Sequence, residues 1–250
     1  MPLRAITTAF GAGTSGTVGM SASSQVGDVA TLIVANAAYN ITSDMSLSGW
    51  TLQGSSTSNS PGGELTVWTK VVTAPDIGSN VTITIATSTR WVAAIMVRYN
   101  VLGLDVSPVF STSASPTATP TAPSLTTVSN GAELVCIYGS EPYIPGVTAS
   151  YTLPAGQTEI CDVSSTSGSQ RNVAFAIGEE VLGLAGASGT RQATSTTTDA
   201  GLDHRVYQGT ATLAFTSATP PAPSTFTVKV RQSGVWVSKP LKARAGGSWV

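Results

Sequence analysis

Charged residues are scarce in this sequence of 250 residues. They make up 10% of the chain, less than half of the roughly 25% found in typical soluble domains. This scarcity does not indicate disorder, because disordered chains combine few apolar residues with a high net charge. The chain is 41% hydrophobic and has a formal net charge of only -1. Ser, Thr, Ala, Gly and Val dominate it, which predicts a folded protein of many short strands and tight turns.

Cysteine and histidine are almost absent. The two cysteines, Cys136 and Cys161, each lie within an apolar segment, and His204 is the sole histidine. No Cys-x-x-Cys or Cys/His grouping occurs, which argues against a structural zinc site. The cysteines could form one disulfide, but two buried thiols are the favoured interpretation. We therefore expect neither a metal nor another cofactor.

Long apolar runs are missing as well. No segment of about eighteen apolar residues occurs that could span a membrane as a helix. Residues 1–8 also lack the apolar core of a signal peptide. The sequence therefore predicts a protein that is made in a cytoplasm and does not insert into membranes.

Two similar segments organise what is present. Residues 27–36 begin with a Gly-Asp turn signal and continue as a short apolar run, and residues 130–139 repeat this design with Asn-Gly. Both patterns are typical of buried strands, whereas helix signals are nearly absent. We predict an all-β fold, an antiparallel β-sandwich of jelly-roll type built from two pseudo-repeated halves. The halves could share one sandwich or form two that pack together, and a single compact body is favoured.

Changes in composition divide the chain into parts. Proline cannot donate a hydrogen bond within a central strand, so the proline-rich stretches mark connections. The predicted parts are an N-terminal arm or edge strand (1–24), the β-sandwich (25–217, with halves 25–106 and 124–217 joined by a Pro-rich crossover, 107–123), a Pro-rich linker (218–225) and a basic, Trp-containing hairpin repeat (226–250).

The C-terminal repeat has a period of thirteen residues. Each unit has a Lys-x-Arg pair, a glycine that suits a hairpin turn, and a Trp-Val pair. Two isolated hairpins cannot bury their tryptophans, so we expect them to contact another surface. The cations alternate with apolar residues, which favours a solvated strand face or an acidic protein partner over nucleic acid. The predicted assembly interface consists of Lys229, Arg231, Trp236, Lys242, Arg244 and Trp249.

A second surface prediction concerns aromatic residues. The segment 64–72 alternates, so Leu65, Val67 and Val71 share one face while Trp68 lies among polar neighbours on the other. Sandwich proteins can hold sugars against exposed aromatic rings. Trp68, with Tyr143 and Tyr207, is therefore a predicted glycan platform. The alternative is that the N-terminal arm or a neighbouring subunit covers Trp68.

Catalytic patterns are not found. Glu179 and Glu180 are adjacent at the end of a strand, where solvated turn charges explain them better than a glycosidase pair does. Asp199 and Asp203 are the other nearby carboxylates, and His204 follows Asp203. A serine nucleophile would need a Gly-x-Ser-x-Gly turn between a strand and a helix, which is missing. We therefore predict that the protein is not an enzyme, and glycan depolymerase is the least favoured alternative.

Several motifs occur together in this sequence. They are the Gly-Asp opening before an apolar strand, the Gly-Trp-Thr that follows it, Val-Trp-Thr-Lys at 67–70, Val-Arg-Tyr-Asn at 97–100, the Pro-rich joint before Gly-Ala-Glu-Leu-Val, and the terminal Lys-x-Arg-x-Gly-Gly-x-Trp-Val. Together, these motifs resemble the minor tail proteins of bacteriophages that infect actinobacteria. The resemblance spans nearly the whole chain, and the terminal repeat is its most specific feature. It implies a virion structural protein at the tail or tail tip, made in the host cytoplasm and assembled with other virion proteins or copies of itself. Contact with a host cell-wall glycan is a further expectation. A carbohydrate-binding adhesin and a capsid decoration protein are the alternatives.

Overall fold

The structure is a computed structural model, and the fold that it shows is all-β with antiparallel sheets. Within the described residues, a 3-10 turn at Ala74–Asp76 is the sole helical element. The chain divides into two units, 1–217 and 218–250. The described residues are 3–37, 47–59, 62–113, 117–142, 146–165, 172–198, 205–218, 227–232, 235–240, 244–245 and 248–249.

The first half of the chain forms a five-stranded antiparallel sheet. Its strands are β1 (Leu3–Gly19), β2 (Val29–Asn36), β3 (Thr51–Asn59), β4 (Gly62–Val71) and β5 (Asn80–Arg98). They lie in the order β1-β5-β2-β4-β3. Strand β2, the apolar run predicted at the first opening, is central and fully buried. Strand β1 lies at one edge, which is one of the two forms predicted for residues 1–24.

Residues 101–217 form another sheet and several short strand pairs. The main sheet has the order β12-β13-β10-β17-β6, and β7 also pairs with β17. The short pairs are β8 with β15, β9 with β14 and β11 with β16. The strands are β6 (Val101–Leu104), β7 (Val109–Ser113), β8 (Thr121–Ala122), β9 (Thr126–Thr127), β10 (Glu133–Pro142), β11 (Ala149–Thr152), β12 (Thr158–Ser164), β13 (Ala174–Val181), β14 (Gly186–Ala187), β15 (Arg191–Gln192), β16 (Thr194–Thr197) and β17 (Arg205–Ser217).

The two main sheets share one strand order. In the first sheet, β2 lies between β5 and β4. In the second sheet, β10 lies in the same way between β17 and β13. Both β2 and β10 are the strands at the predicted openings. In the first sheet, β3 and β1 are the edge strands. In the second sheet, β12 forms one edge, and β6 and β7 form the other. Similar apolar openings therefore occupy equivalent central positions. The second sheet also includes β6 from the end of the first predicted half and β7 from the predicted crossover.

Three apolar cores cover both faces of these sheets. The first lies between the sheets and contains Ile33 and Val67 from one half and Phe175 and Phe215 from the other. The second lies on the other face of the first sheet, which curls around it, and contains Trp68. The third lies where the short strands cover the outer face of the second sheet. Burial on both faces explains why β2 and β10 are nearly continuous apolar runs.

The curl of the first sheet comes from its two longest strands. Strands β1 and β5 pair over most of their length, and their register shifts between Gly13 and Ser15. Such an irregularity bends a strand pair and increases its twist. Beyond this bend, Val18 and Ile83 join the second core.

The described residues of the C-terminal unit form two small antiparallel strand pairs. Strands β18 (Thr227–Gln232) and β19 (Val235–Pro240) form one, and β20 (Arg244–Ala245) and β21 (Ser248–Trp249) form the other. In register, Arg231 lies opposite Trp236, and Arg244 lies opposite Trp249. The structure thus pairs strands within both units of the thirteen-residue repeat, and it places an arginine opposite a tryptophan in each.

Candidate functional site

A groove on the first unit is the clearest candidate for a ligand site. Its volume is ≈ 380 Å³, which lies in the range of roughly 300–1,000 Å³ that is usual for ligand pockets. It lies between the segment that precedes β3 and the beginning of β5. We call it the Trp50 groove. Its lining residues are Leu47, Ser48, Trp50, Lys70, Asp76, Ser79, Asn80, Val81, Thr82 and Thr84.

Trp50 provides the aromatic surface of this groove. The side chain is half-buried and packs against the second core, as do Leu47 and Val81. A turn precedes it, in which the Trp50 N–H donates to the Leu47 carbonyl at 3.1 Å. Gly49 in this turn has a φ of 75°, a conformation that glycine adopts readily. A Cβ there would also lie 3.2 Å from the Lys70 Nζ, so glycine leaves space for the ammonium group.

An ion pair supplies the charges of the groove. The Lys70 Nζ lies 2.6 Å from an Asp76 carboxylate oxygen. Asp76 also accepts hydrogen bonds from the Thr73 N–H at 2.8 Å and from the Thr73 hydroxyl at 2.6 Å. Burial alone would raise the pKa of the Asp76 carboxyl, but the hydrogen bonds from Lys70 and Thr73 outweigh it and lower that pKa. The Asp76 carboxylate is therefore ionised near neutral pH, and the ion pair with Lys70 compensates its charge.

A second ionic cluster lies between the two main sheets. Arg98 at the end of β5 pairs with Glu133 of β10, and its Nη2 lies 2.6 Å from a Glu179 carboxylate oxygen on β13. The side chain of Arg98 is fully buried. Burial raises the pKa of Glu133 despite the attraction of Arg98, and the neighbouring Glu179 raises it further. One cation shared by two carboxylates favours retention of a proton on one of them.

The interpretation of Glu179 and Glu180 as solvated turn charges is wrong. Glu179 belongs to the cluster with Arg98, and Glu180 accepts a hydrogen bond from the Arg191 Nε at 2.8 Å. The two carboxylates pair with different arginines because adjacent strand residues point to opposite faces. These contacts were missed because the partners are distant in sequence, 81 residues apart for Arg98 and Glu179.

The prediction that Trp68 forms an exposed platform is also wrong. Trp68 is only 1% exposed and belongs to the second core. Alternation correctly separates Trp68 from Leu65 and Val67, but the curl of the first sheet covers the face on which it lies. Tyr143 lies outside the described residues, and so does the side chain of Tyr207 on β17. The structure instead exposes part of Trp50.

The predicted interface residues of the C-terminal unit are described only by their backbone. Arg231, Trp236, Arg244 and Trp249 occupy the opposed positions given above, and Lys229 lies opposite Ser238. Lys242 lies outside the described residues. Side-chain contacts of this set therefore stay a prediction.

Both cysteines are free thiols in the structure. Cys136 is buried and Cys161 is half-buried. Burial raises the pKa of both thiols, that of Cys161 to about 12. Both are thus largely protonated at neutral pH, which makes them poor nucleophiles and poor metal ligands.

Clusters of metal-ligating side chains and membrane-spanning helices are both absent from the part of the chain that the structure describes. That part contains no group of three or more His, Cys, Asp or Glu side chains that could hold a metal ion. It also contains no helix that is long and apolar enough to span a membrane. His204, Asp199 and Asp203 lie outside it.

Comparison with family models, curated proteins and solved structures gave no match.

The first unit also has an unusual concentration of exposed aliphatic side chains at one end. Strand pairing brings Val29, Val71 and Arg98 together at this end of the first sheet, and Glu133, Val181 and Phe215 at the corresponding end of the second. Arg98 joins the two sheets there. Six side chains at this end, which we call the apolar end, are between 61% and 78% exposed. They are Val26, Val71, Leu102, Val128, Val181 and Leu184.

Hydrogen bonds attach the loops of the apolar end to the sheets. The Gly27 N–H donates to the Val72 carbonyl at 2.9 Å, which places Val26 beside the end of β4. The Val128 N–H donates to the Asp105 carboxylate at 2.7 Å, and the Thr216 hydroxyl donates to the same carboxylate at 3.0 Å. These bonds outweigh burial and lower the pKa of Asp105. The exposed aliphatic residues are therefore held on an ordered scaffold.

Proposed function

We propose that the protein is a non-enzymatic structural protein of a bacteriophage virion, a minor tail or tail-tip component that functions by binding other virion proteins and further copies of itself. The observation that best supports a role in assembly is the apolar end. Single exposed aliphatic residues are ordinary, but a concentration of them often marks a protein contact surface. Interface cores are likewise richer in apolar and poorer in charged residues than other surface.

The arrangement of charged groups agrees with a structural role. The carboxylates proposed for a glycosidase pair, Glu179 and Glu180, are each bound to a buried or half-buried arginine. The motifs shared with the tail proteins provide the link to phage. The jelly-roll type of the sandwich, the location in the tail, synthesis in the bacterial cytoplasm and the absence of nucleic-acid binding stay predictions. Capsid decoration is the alternative position, and a carbohydrate-binding adhesin is the alternative function.

The terminal hairpins are the second element of this proposal. Each hairpin places an arginine opposite a tryptophan, and these two residue types dominate the energetics of protein interfaces. We propose that Lys229, Arg231, Trp236, Lys242, Arg244 and Trp249 anchor the protein in the particle. The anchoring surface would then be carried by a unit separate from the main body.

Incorporation into particles tests the proposal directly. In a phage that encodes this chain, the gene is replaced by variants, and purified particles are analysed by quantitative mass spectrometry. We expect the full chain to be present, and a chain that lacks 226–250 to be reduced at least tenfold. We also expect Leu102→Glu/Leu184→Glu to be depleted, because charges at the apolar end oppose burial in an interface.

Thr194→Glu is the matched control, because Thr194 is an exposed strand residue away from the apolar end. It should enter particles like the natural chain. Absence of the full chain from purified particles would refute the proposed function. Normal incorporation of the shortened chain would instead remove the anchoring role of the hairpins.

A further inference from the structure

The Trp50 groove combines a fixed aromatic surface with an open, polar wall. Trp50 packs against the second core and also lines the groove, so part of its side chain is supported by the protein itself. Ser48, Asn80, Thr82 and Thr84 line the groove and are exposed to solvent. Aromatic rings held in this way contact flat apolar faces, while hydroxyl and amide groups both donate and accept hydrogen bonds.

The charges of the groove narrow the class of ligand. Its charged lining residues are Lys70 and Asp76, and they compensate each other at 2.6 Å. Asp76 is further held by Thr73, and the Ser79 hydroxyl donates to the Asp76 carbonyl at 2.8 Å. An anionic ligand would have to compete with Asp76 for Lys70, and a cationic one with Lys70 for Asp76. The electrostatics therefore favour a neutral ligand with many hydroxyl groups.

From this geometry we infer that the Trp50 groove binds a neutral sugar unit of a polysaccharide. One apolar face of the sugar ring lies against the Trp50 indole, and Asn80 and Thr82 hydrogen-bond its hydroxyl groups. The size of the groove agrees with this ligand, since its volume of ≈ 380 Å³ is at the small end of the usual pocket range. The site is distinct from the predicted platform at Trp68, and the inference is independent of the proposed role in assembly.

Titration of the full chain with defined saccharides tests this inference. The probes are maltopentaose, cellopentaose, xylopentaose and mannopentaose, with dextran sulfate as the charged probe, and binding is measured by isothermal titration calorimetry. We expect at least one neutral oligosaccharide to bind and dextran sulfate not to bind through this groove. Binding of none of the four neutral probes, or binding of dextran sulfate alone, overturns the inference.

Two variants locate the binding to the groove. Trp50→Ala should weaken binding about tenfold or more, as expected for loss of an aromatic contact. Because Trp50 also packs against the second core, a second variant is needed that does not disturb folding. Thr82→Trp places a bulky ring at an exposed position of the lining and should abolish binding with little change in Tm.

Thr152→Trp is the matched control, since Thr152 is an exposed strand residue outside the groove. It should bind as the natural chain does. Unchanged binding by Thr82→Trp would show that the sugar binds elsewhere, which overturns the inference. None of these outcomes depends on entry of the chain into particles, so failure here is distinguishable from failure of the proposed assembly role.

Discussion

Arg98 provides the charge contact that joins the two main sheets. Its side chain is fully buried, pairs with Glu133 and Glu179, and lies with its guanidinium carbon 5.4 Å from the centre of the Phe215 ring. A buried arginine is costly to desolvate, so it is tolerated only where its partners are well placed. The cluster therefore couples the end of the first sheet to two strands of the second.

Arg98→Ala should lower the free energy of unfolding by about 3–5 kcal/mol, because it leaves two carboxylates without their cation in a buried site. Urea denaturation at neutral pH measures this loss. The triple variant Arg98→Met/Glu133→Gln/Glu179→Gln removes all three charges together and should lose less than Arg98→Ala alone. A loss below about 1 kcal/mol for Arg98→Ala would mean that water or other groups replace the arginine.

Strand β1 encloses the indole of Trp91. A Cβ built on Gly11 would lie 2.6 Å from this ring, and one built on Gly16 would lie 1.8 Å from it. Trp91 is 4% exposed and belongs to the second core. Glycine on both sides of the bend in β1 thus lets the edge strand approach the ring closely, and this approach keeps the first sheet curled.

Gly16→Ala should lower the free energy of unfolding by about 1–3 kcal/mol, because the added methyl group overlaps the Trp91 ring. Gly19→Ala is the matched control in the same strand, since its Cβ would meet only the Asn80 Oδ1 at 3.6 Å. The control should change stability by less than about 0.5 kcal/mol. Equal losses for the two variants in thermal and urea unfolding would contradict a specific contact with Trp91.

The sequence predicted some of these elements much better than others. Strands β2 and β10 were expected because a turn signal precedes a short apolar run at both openings. The seventeen-residue strand β1 was not expected at its full length, because its small residues carry no apolar alternation. Strand β1 reaches this length because it pairs with β5, which is 19 residues long.

The failures at the candidate sites have a related physical cause. Alternation shows on which face of a strand a side chain lies. Whether that face is buried depends on elements that are far away in the chain. Trp68 was predicted on the correct face and with the wrong exposure, because a curled sheet covers it. The Trp50 groove could not be predicted for the same reason: its wall comes from β5, and Trp50 precedes β3.

At the scale of the whole molecule, the main body contains all of its own sheet partners. Every strand from β1 to β17 pairs with another strand of 1–217, and the strands of 218–250 pair only with each other in the described residues. The three cores are likewise formed within 1–217. The body should therefore fold without the terminal hairpins.

A chain that ends at Ser217 should unfold in one cooperative transition with a Tm within a few degrees of the full chain. Circular dichroism and differential scanning calorimetry measure this. A chain that ends at residue 204 is the control, because it lacks β17, an inner strand of the second sheet. It should not fold cooperatively. An unfolded 1–217 chain would mean that the body needs the C-terminal unit.

The two main sheets share no strand, and this affects how the chain folds during translation. Because every strand pair of the first sheet lies within residues 3–98, that sheet can form on the ribosome before the second half has been synthesised. At usual translation rates of about 5–20 residues per second, its partner follows on the order of ten seconds later. During this interval, side chains such as Ile33 and Val67 face water. Chaperone binding to the nascent first half would protect these side chains during this interval.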